Sequence, residues 1–310
     1  MITVSGIYPE ITAEKYHMDP VAVPSLSCSI ARMLTRQTPA HAYAAHPRLG
    51  QTHEIIPTNV MDDGSAVHAM FAGLQHLIEP IRAVYGPKTK NKDMTGKPVR
   101  DFKTAAAQEE RDEIRCAGRI PVLRHRLPEL IRVYRAAMIG LEQSEDGAVF
   151  TSPGRSEVCA VSQEDDIWLR VLVDRLPDDR TLPPGDLKCT EMSAAPGGWE
   201  RRLQTEYAFQ DAFYRRTLKG AENFDRPPMR FGVIELTPPH GVVIMAAAPT
   251  LRAMAEAEVE RAIQRWRTCM KTGKWPGYPP FTAWVEATNW QMQAADEAAM
   301  REEIIMEEAQ

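Results

Sequence analysis

The chain changes texture at Gly147, and no other feature of its 310 residues restricts the fold as much. Upstream, apolar residues recur at helical spacing. Downstream come three short β-branched segments, EVCAVS (157–162), DIWLRVLVDRL (166–176) and GDLKCT (185–190), parted by turn-forming residues at 163–166 and 177–185. Such segments predict three strands of a meander. A helical pattern over 198–219 follows. RFGVIELT and GVVIMAAA then form a strand pair around Pro238-Pro239-His240-Gly241, and helical sequence runs from Pro249 to Lys271 and again after Val285. This order predicts an α/β fold: a central mixed, mainly antiparallel sheet flanked by helices, with helical N- and C-terminal embellishments.

Before Gly147 the pattern predicts helices from Pro24 to Leu34, over AVHAMFAGLQHLI after the start signal Asp62–Ser65, and over 104–118 and 124–143. Thr38-Pro39 and His46-Pro47 read as turns. Residues 85–103 lack periodicity and are rich in Gly, Pro and Lys, which predicts an exposed, mobile loop. No repeat or low-complexity linker divides the chain, so 1–310 is expected to be one domain: a mainly helical part (1–145), the sheet with its helix (146–250) and C-terminal helices (251–310).

Composition removes several classes. At 44% hydrophobic and 25% charged, the chain has ample material for a core. No apolar run approaches the roughly 18–20 residues of a membrane span, and no basic start precedes an apolar core as in a secretory signal. The five cysteines are scattered without a CxxC pair, which argues against a disulfide framework, structural zinc or iron–sulfur ligation and leads us to expect a cytoplasmic protein. No GxxxxGK[ST] loop, GxGxxG turn, GxSxG elbow or HExxH pair is present. The net charge of −5 leaves no overall basic field, so any positive potential must be local. Basic residues do cluster at Lys88–Lys103 and at Arg201, Arg202, Arg215, Arg216 and Lys219, while Glu is concentrated after Glu297.

Chemistry-bearing residues gather in the strand-rich middle. Asp174 ends the apolar run Val171-Leu172-Val173, where it is either a turn aspartate or a site carboxylate. In Gly185-Asp186-Leu187-Lys188, residues two apart share a strand face, so Asp186 and Lys188 project together. A carboxylate can hold a hard divalent cation, and a neighbouring ammonium can hold an anion or activate water. Asp101-Phe102-Lys103 matches the same D-x-K pattern but lies in the basic aperiodic stretch. Asp174 and Asp186, one hairpin apart, would repel without a cation between them. Gln210 and Tyr214, four apart, share a helix face, and Arg215 and Arg216 beside them suggest an anion-facing helix. His68, on a partly apolar helix face, is a core histidine or a ligand. Glu157 opens its strand as an edge residue or a site residue.

Taken in order, these segments resemble the PD-(D/E)XK nucleases of the RecB-like group, and among them the phage-type exodeoxyribonuclease VIII (RecE-like) catalytic domain. The resemblance is carried by Tyr16-His17-Met18-Asp19-Pro20, an S-x-S-x-A helix leading to Pro39–Ala42, Gly64–His68, the Asp174 strand, D-x-K-x-T at 186–190, Gln210-Asp211-Ala212-Phe213-Tyr214 and Cys269–Tyr278. The superfamily's proline before the first aspartate is replaced by Val173. The resemblance implies that Asp174, Asp186 and His68 ligate Mg²⁺ (with Mn²⁺ substituting), that Lys188 orients or activates the attacking water, that Glu157 supports the metal, and that Gln210 and Tyr214 position the DNA and the catalytic residues. It further implies an ATP-independent 5′→3′ exonuclease acting on double-stranded DNA ends and leaving 3′ single-stranded tails. A homo-oligomeric ring such as a tetramer, a RecT-like single-strand annealing partner in phage recombination and no membrane association belong to the same expectation. Another nuclease on this scaffold, single-strand or structure-specific, and a non-catalytic DNA-binding or assembly protein are the alternatives.

Overall fold

The computed structural model describes residues 1–50, 59–87 and 92–308. Its strands are β1 (Gly6–Tyr8), β2 (Leu26–Ser27), β3 (Ile78–Pro80), β4 (Ile120–Val122), β5 (Gly154–Glu164), β6 (Ile167–Pro177), β7 (Gly185–Thr190), β8 (Arg230–Glu235) and β9 (Val242–Met245). Its α-helices are α1 (Ala13–His17), α2 (Cys28–Arg36), α3 (Pro39–Ala45), α4 (Asn59–Phe71), α5 (Ala105–Cys116), α6 (Leu127–Glu142), α7 (Ala148–Thr151), α8 (Pro196–Arg202), α9 (Ala208–Glu222), α10 (Pro249–Thr272) and α11 (Asn289–Glu308). Two compact units result, residues 1–276 and 277–310. No helix among the described residues is long and apolar enough to cross a membrane.

A seven-stranded sheet in the order β1-β5-β6-β7-β8-β9, with β2 also on β6, forms the centre of the first unit. Antiparallel pairs dominate. β7 and β8 are parallel because the chain between them returns through α8 and α9. The predicted meander and the later strand pair are therefore both present. The β5–β6 hairpin turns at Asp165-Asp166, where Asp165 takes the left-handed conformation (φ 52°) that aspartate tolerates better than most residues.

Alternation along the hairpin sorts its side chains. Val158, Ala160, Leu169, Val171 and Val173 reach the main core under α2, α9 and α10, while Cys159, Val161 and Trp168 pack against the N-terminal segment around Tyr16 and Val21. Leu187 and Ile234 turn to the other side of the sheet, against Val67 and Met70 of α4 and Leu130, Val133 and Leu141 of α6. Helices thus cover both faces, so β6 is apolar through most of its length rather than strictly alternating. Gly185 is required where β7 begins, since a Cβ there would come within 2.8 Å of Val149 and Phe150.

The Asp19-Pro20 motif has a structural account. Asp19, buried at φ 60°, accepts from the Ser25 backbone N–H (2.9 Å) and hydroxyl (2.6 Å) and faces Arg170 of β6 at 3.4 Å. Arg170 also donates to the Ser25 carbonyl and to its Oγ at 2.8 Å. The network pins the segment before α2 to β6 and sets β2 alongside Leu169 and Arg170.

Several local expectations are corrected. Pro39 starts α3, where its missing N–H costs nothing, rather than marking a turn. The helix through His68 stops at Phe71, and Gly73 (φ 74°) leads through a short 3₁₀ turn into β3 instead of extending to Ile78. The 85–103 stretch is partly ordered: Tyr85 N–H donates to the Lys97 carbonyl (2.9 Å), Tyr85 Oη accepts from Arg100 N–H (3.2 Å), and Val84 bridges Pro98. Lys88 and Lys90 lie outside the described residues.

The second unit consists of a stretch of irregular, exposed chain and α11. Thr288 and Gln291 form a reciprocal capping box at the helix start (Thr288 N–H to Gln291 Oε1 2.9 Å, Gln291 N–H to Thr288 Oγ1 3.3 Å). Residues 277–310 carry seven acidic residues and one basic one, leaving 36 basic against 35 acidic residues in 1–276. The acidic total is a property of this segment.

Candidate active site

The site forms where β6 exchanges partners. β7 pairs with β6 only at Arg175↔Gly185 and then leaves, while β2 takes up that side of β6 further along, at Leu169 and Arg170. One step beyond Arg175↔Gly185, the antiparallel register sets Asp174 opposite Asp186. Leu187 N–H, which a continued ladder would have bonded to backbone, instead donates to Asp174 Oδ2 at 3.1 Å. The carboxylate therefore stabilises the divergence that exposes it.

On the other edge of β6 the ladder is also interrupted. Ser156 pairs with Arg175 and Val158 with Val173, but Glu157 and Asp174 between them do not pair. Glu157 sits at φ 52°, a costly conformation for a glutamate inside a strand. The side-chain alternation slips here too, since Val173 and Leu176, three apart, reach the same core.

Three ligand-type groups converge at this break. One atom each from His68, Glu157 and Asp174 lies within 4.8 Å of the others, and His68 Nδ1 is 3.5 Å from Asp174 Oδ2. A small hollow is lined by the same three residues with Phe71, Phe150, Ser156, Arg175 and Leu187. Burial, with repulsion from Asp174 and Asp186, pushes the Glu157 carboxyl up to about 7. Burial and repulsion from Asp186 push Asp174 up to about 6, against the opposing pull of His68 and Lys188. A set of one imidazole and two half-buried carboxylates that lose their protons at higher pH than ordinary carboxyls, for want of a counter-charge, fits a divalent cation. The donors would be the imidazole and the two carboxylates.

Asp186 and Lys188 point to the α9 side of β7. Asp186 is 2% exposed; its Oδ2 faces Lys188 Nζ at 2.6 Å, and its Oδ1 accepts from Gln210 Nε2 at 2.5 Å. Nearby Asp186 and Asp174 hold the Lys188 ammonium well above its ordinary range despite its burial. Tyr214, one helical turn beyond Gln210, is largely buried, and desolvation keeps its hydroxyl protonated.

The sequence-derived residues are thus gathered in one region in two groups: His68, Glu157 and Asp174 around the hollow, and Asp186, Lys188 and Gln210 in one polar chain beside it. Among the described residues the ligand cluster contains Glu157 as its third member, while Asp186 is engaged with Lys188 and Gln210. Arg215 and Arg216 do not make an anion-facing helix. Arg216 binds Glu164 (2.8 Å) and Glu260 (2.6 Å), and Arg215 faces Asp225 (3.3 Å) and Glu256 (3.4 Å). Asp101 and Lys103 of the second D-x-K pair with each other at the exposed start of α5, outside this constellation. One neighbour escaped the sequence reading: the Tyr207 ring, whose centroid is 5.1 Å from Lys188 Nζ. Its signal was an aromatic residue three before Gln210, on the same helical stripe.

Fold and site together define a PD-(D/E)XK-type domain: two carboxylates brought to the divergence of adjoining strands, with a lysine two residues beyond the second. Residues 27–280 match the model of the PDDEXK-like domain of unknown function DUF3799, and the chain belongs to that family. None of the curated proteins matches the chain. Among solved structures it is similar to a protein of Eubacterium rectale described as a "Putative exonuclease", at 11% identity and a TM-score of 0.49, over 88% of this chain and 96% of that one.

Proposed function

We propose that this protein is a Mg²⁺-dependent, ATP-independent exonuclease of the RecE-like kind, degrading one strand of duplex DNA from its 5′ end and leaving a 3′ single-stranded tail. The observation that carries the reading is the convergence of His68, Glu157 and Asp174 beside the buried Asp186–Lys188 pair. Polarity, a ring-like homo-oligomer, a RecT-like annealing partner and a role in phage-type recombination follow from the sequence resemblance.

The residues divide the work. His68, Glu157 and Asp174 would hold the cation, with Asp186 alongside. A divalent cation supplies charge neutralisation for the attacked phosphate and its leaving oxygen. Lys188, an ammonium held against Asp186, would place positive charge beside that phosphate and orient the attacking water. Gln210 fixes the Asp186 carboxylate by occupying Oδ1, and so fixes where Lys188 is held. Tyr214, protonated and packed against the core, supports this stripe of α9.

Timed digestion of end-labelled linear duplex, closed circular and single-stranded DNA, with Mg²⁺ and with chelator, tests the reading. Mg²⁺-dependent release of 5′ nucleotides from linear duplex alone is expected. Cleavage of circular or single-stranded DNA would indicate a different nuclease on this scaffold. DNA binding with no hydrolysis would indicate an assembly protein.

A further inference from the structure

Lys188 has a second anchor that the D-x-K pattern does not contain. Its ammonium lies 2.6 Å from Asp186 Oδ2 on one side and 5.1 Å from the centroid of the Tyr207 ring on the other. The ring is itself held in a stack: Trp199 lies against it at 5.9 Å and 16°, and Phe231 of β8 at 5.4 Å and 26°. Phe231 is the register partner of Asp186, so the stack is built on the strand position beside that carboxylate.

Local helix geometry explains how the chain makes this arrangement. Between α8 and α9 the helix runs through a single π turn, Leu203–Tyr207. Trp199 and Tyr207 are eight residues apart. In an uninterrupted α-helix, eight residues rotate a side chain by about 80° past the starting face. The one extra residue absorbed by a π turn brings that offset down to roughly 20°, and the two rings then lie nearly parallel. Beyond the turn, the ordinary spacing of three and four residues puts Tyr207, Gln210 and Tyr214 on one stripe. π turns are rare, and they occur frequently at functional sites.

We propose that Tyr207 is a positioning residue for Lys188: its ring face fixes the direction of the ammonium, which Asp186 alone does not determine. A lysine ammonium is a point charge on a flexible four-carbon stem, and one carboxylate oxygen constrains its distance but not its angle. The ring supplies the second constraint through the attraction between a cation and an aromatic face. Packing within the apolar cluster of Trp199, Leu203, Met229, Phe231 and Val233 needs only an apolar side chain at 207, which leucine would provide, so the aromatic face is the part assigned to Lys188.

The inference rests on the nuclease reading, and the experiment keeps the two apart. Nuclease kinetics on linear duplex would be measured for the wild type, Tyr207→Leu and Tyr207→Phe, together with metal-free crystal structures of the wild type and Tyr207→Leu. Tyr207→Met, another flexible apolar replacement, repeats the test if Tyr207→Leu melts more than a few degrees lower. The expected result is a fall in kcat of about tenfold for the aliphatic variants with KM for DNA unchanged, recovery to within about twofold of wild type in Tyr207→Phe, and displacement of Lys188 Nζ from its place between Asp186 and residue 207. Unchanged kcat in Tyr207→Leu would overturn the proposal, as would Tyr207→Phe failing equally, or a rise in KM alone. A wild type without metal-dependent hydrolysis would remove the nuclease reading. The crystal structures would then decide the positioning claim, which falls if Nζ keeps its place in Tyr207→Leu.

Discussion

Replacing Asp174 by asparagine should stabilise the metal-free protein at neutral pH while destroying its function. In the folded chain Asp174 titrates at about 6 and Glu157 at about 7, whereas both would titrate near about 4 when unfolded. Between about pH 4 and 7 the folded state therefore holds more protons than the unfolded one, and stability falls as pH rises through that window. A shift of about two units corresponds to about 3 kcal/mol for one group taken alone. The two do not add, because part of each shift is repulsion from the other carboxylates. Asp174→Asn removes one charge and leaves an oxygen to accept from Leu187 N–H. The expected gain is about 1–3 kcal/mol at pH 7.5, fading to nothing near pH 4, where the wild-type carboxyl is already neutral. Urea unfolding of both proteins across pH 4–8 in chelator reads this directly. Millimolar Mg²⁺ should then raise the wild type and leave the variant unmoved, shrinking or reversing its advantage. A variant less stable than wild type at pH 7.5 in chelator, or a gain of equal size at pH 4, would refute the electrostatic account of the site.

Three further outcomes are expected. His68→Ala should cut activity at least about 100-fold with little change in thermal midpoint; a large loss of stability would mark the histidine as a core residue instead. Gly185→Ala places a methyl 2.8 Å from Val149 and Phe150 and should cost about 1–3 kcal/mol, visible as a lower urea midpoint. A chain ending at Pro276 should keep its thermal midpoint to within about 1 °C, because the side chains described from Gly277 onward are almost all exposed. A drop of many degrees would show that the acidic segment contributes to the fold of the first unit.

Most of this site was legible because its parts obey local periodicities. Asp186 and Lys188 share a strand face by the two-residue repeat, Gln210 and Tyr214 share a helix stripe by the four-residue one, and the turn residues at 163–166 and 177–185 separate β5, β6 and β7 much as drawn. What sequence periodicity could not show is where a ladder stops. Nothing in EVCAVS or RVLVDRL announces that pairing fails at Glu157 and Asp174, or that β6 passes its edge from β7 to β2. That choice is made by Arg170 and Asp19, some 150 residues apart in the chain, which hold β2 in place. The bonds around Tyr85 are hidden from the sequence for a related reason, since they are scattered contacts to one tyrosine and leave no repeat.

Glu157 shows the consequence for the chemistry. By sequence it was a strand-opening glutamate, an edge residue or a site residue. In the fold it belongs to the ligand cluster because a left-handed φ lifts it out of the ladder at the position facing Asp174. Strand alternation alone would have paired these two carboxylates through backbone bonds and spaced them as ordinary cross-strand neighbours. The break turns them toward His68 instead, at the expense of a strained backbone and two carboxyls that resist ionisation. Such costs persist only when the surrounding structure enforces them. Here the β5–β6 hairpin is locked by ladders on both sides of the break, a short one from Gly154 to Ser156 and a long one from Val158 to Glu164. The regular part of the sheet is what keeps the irregular, charge-bearing part in place.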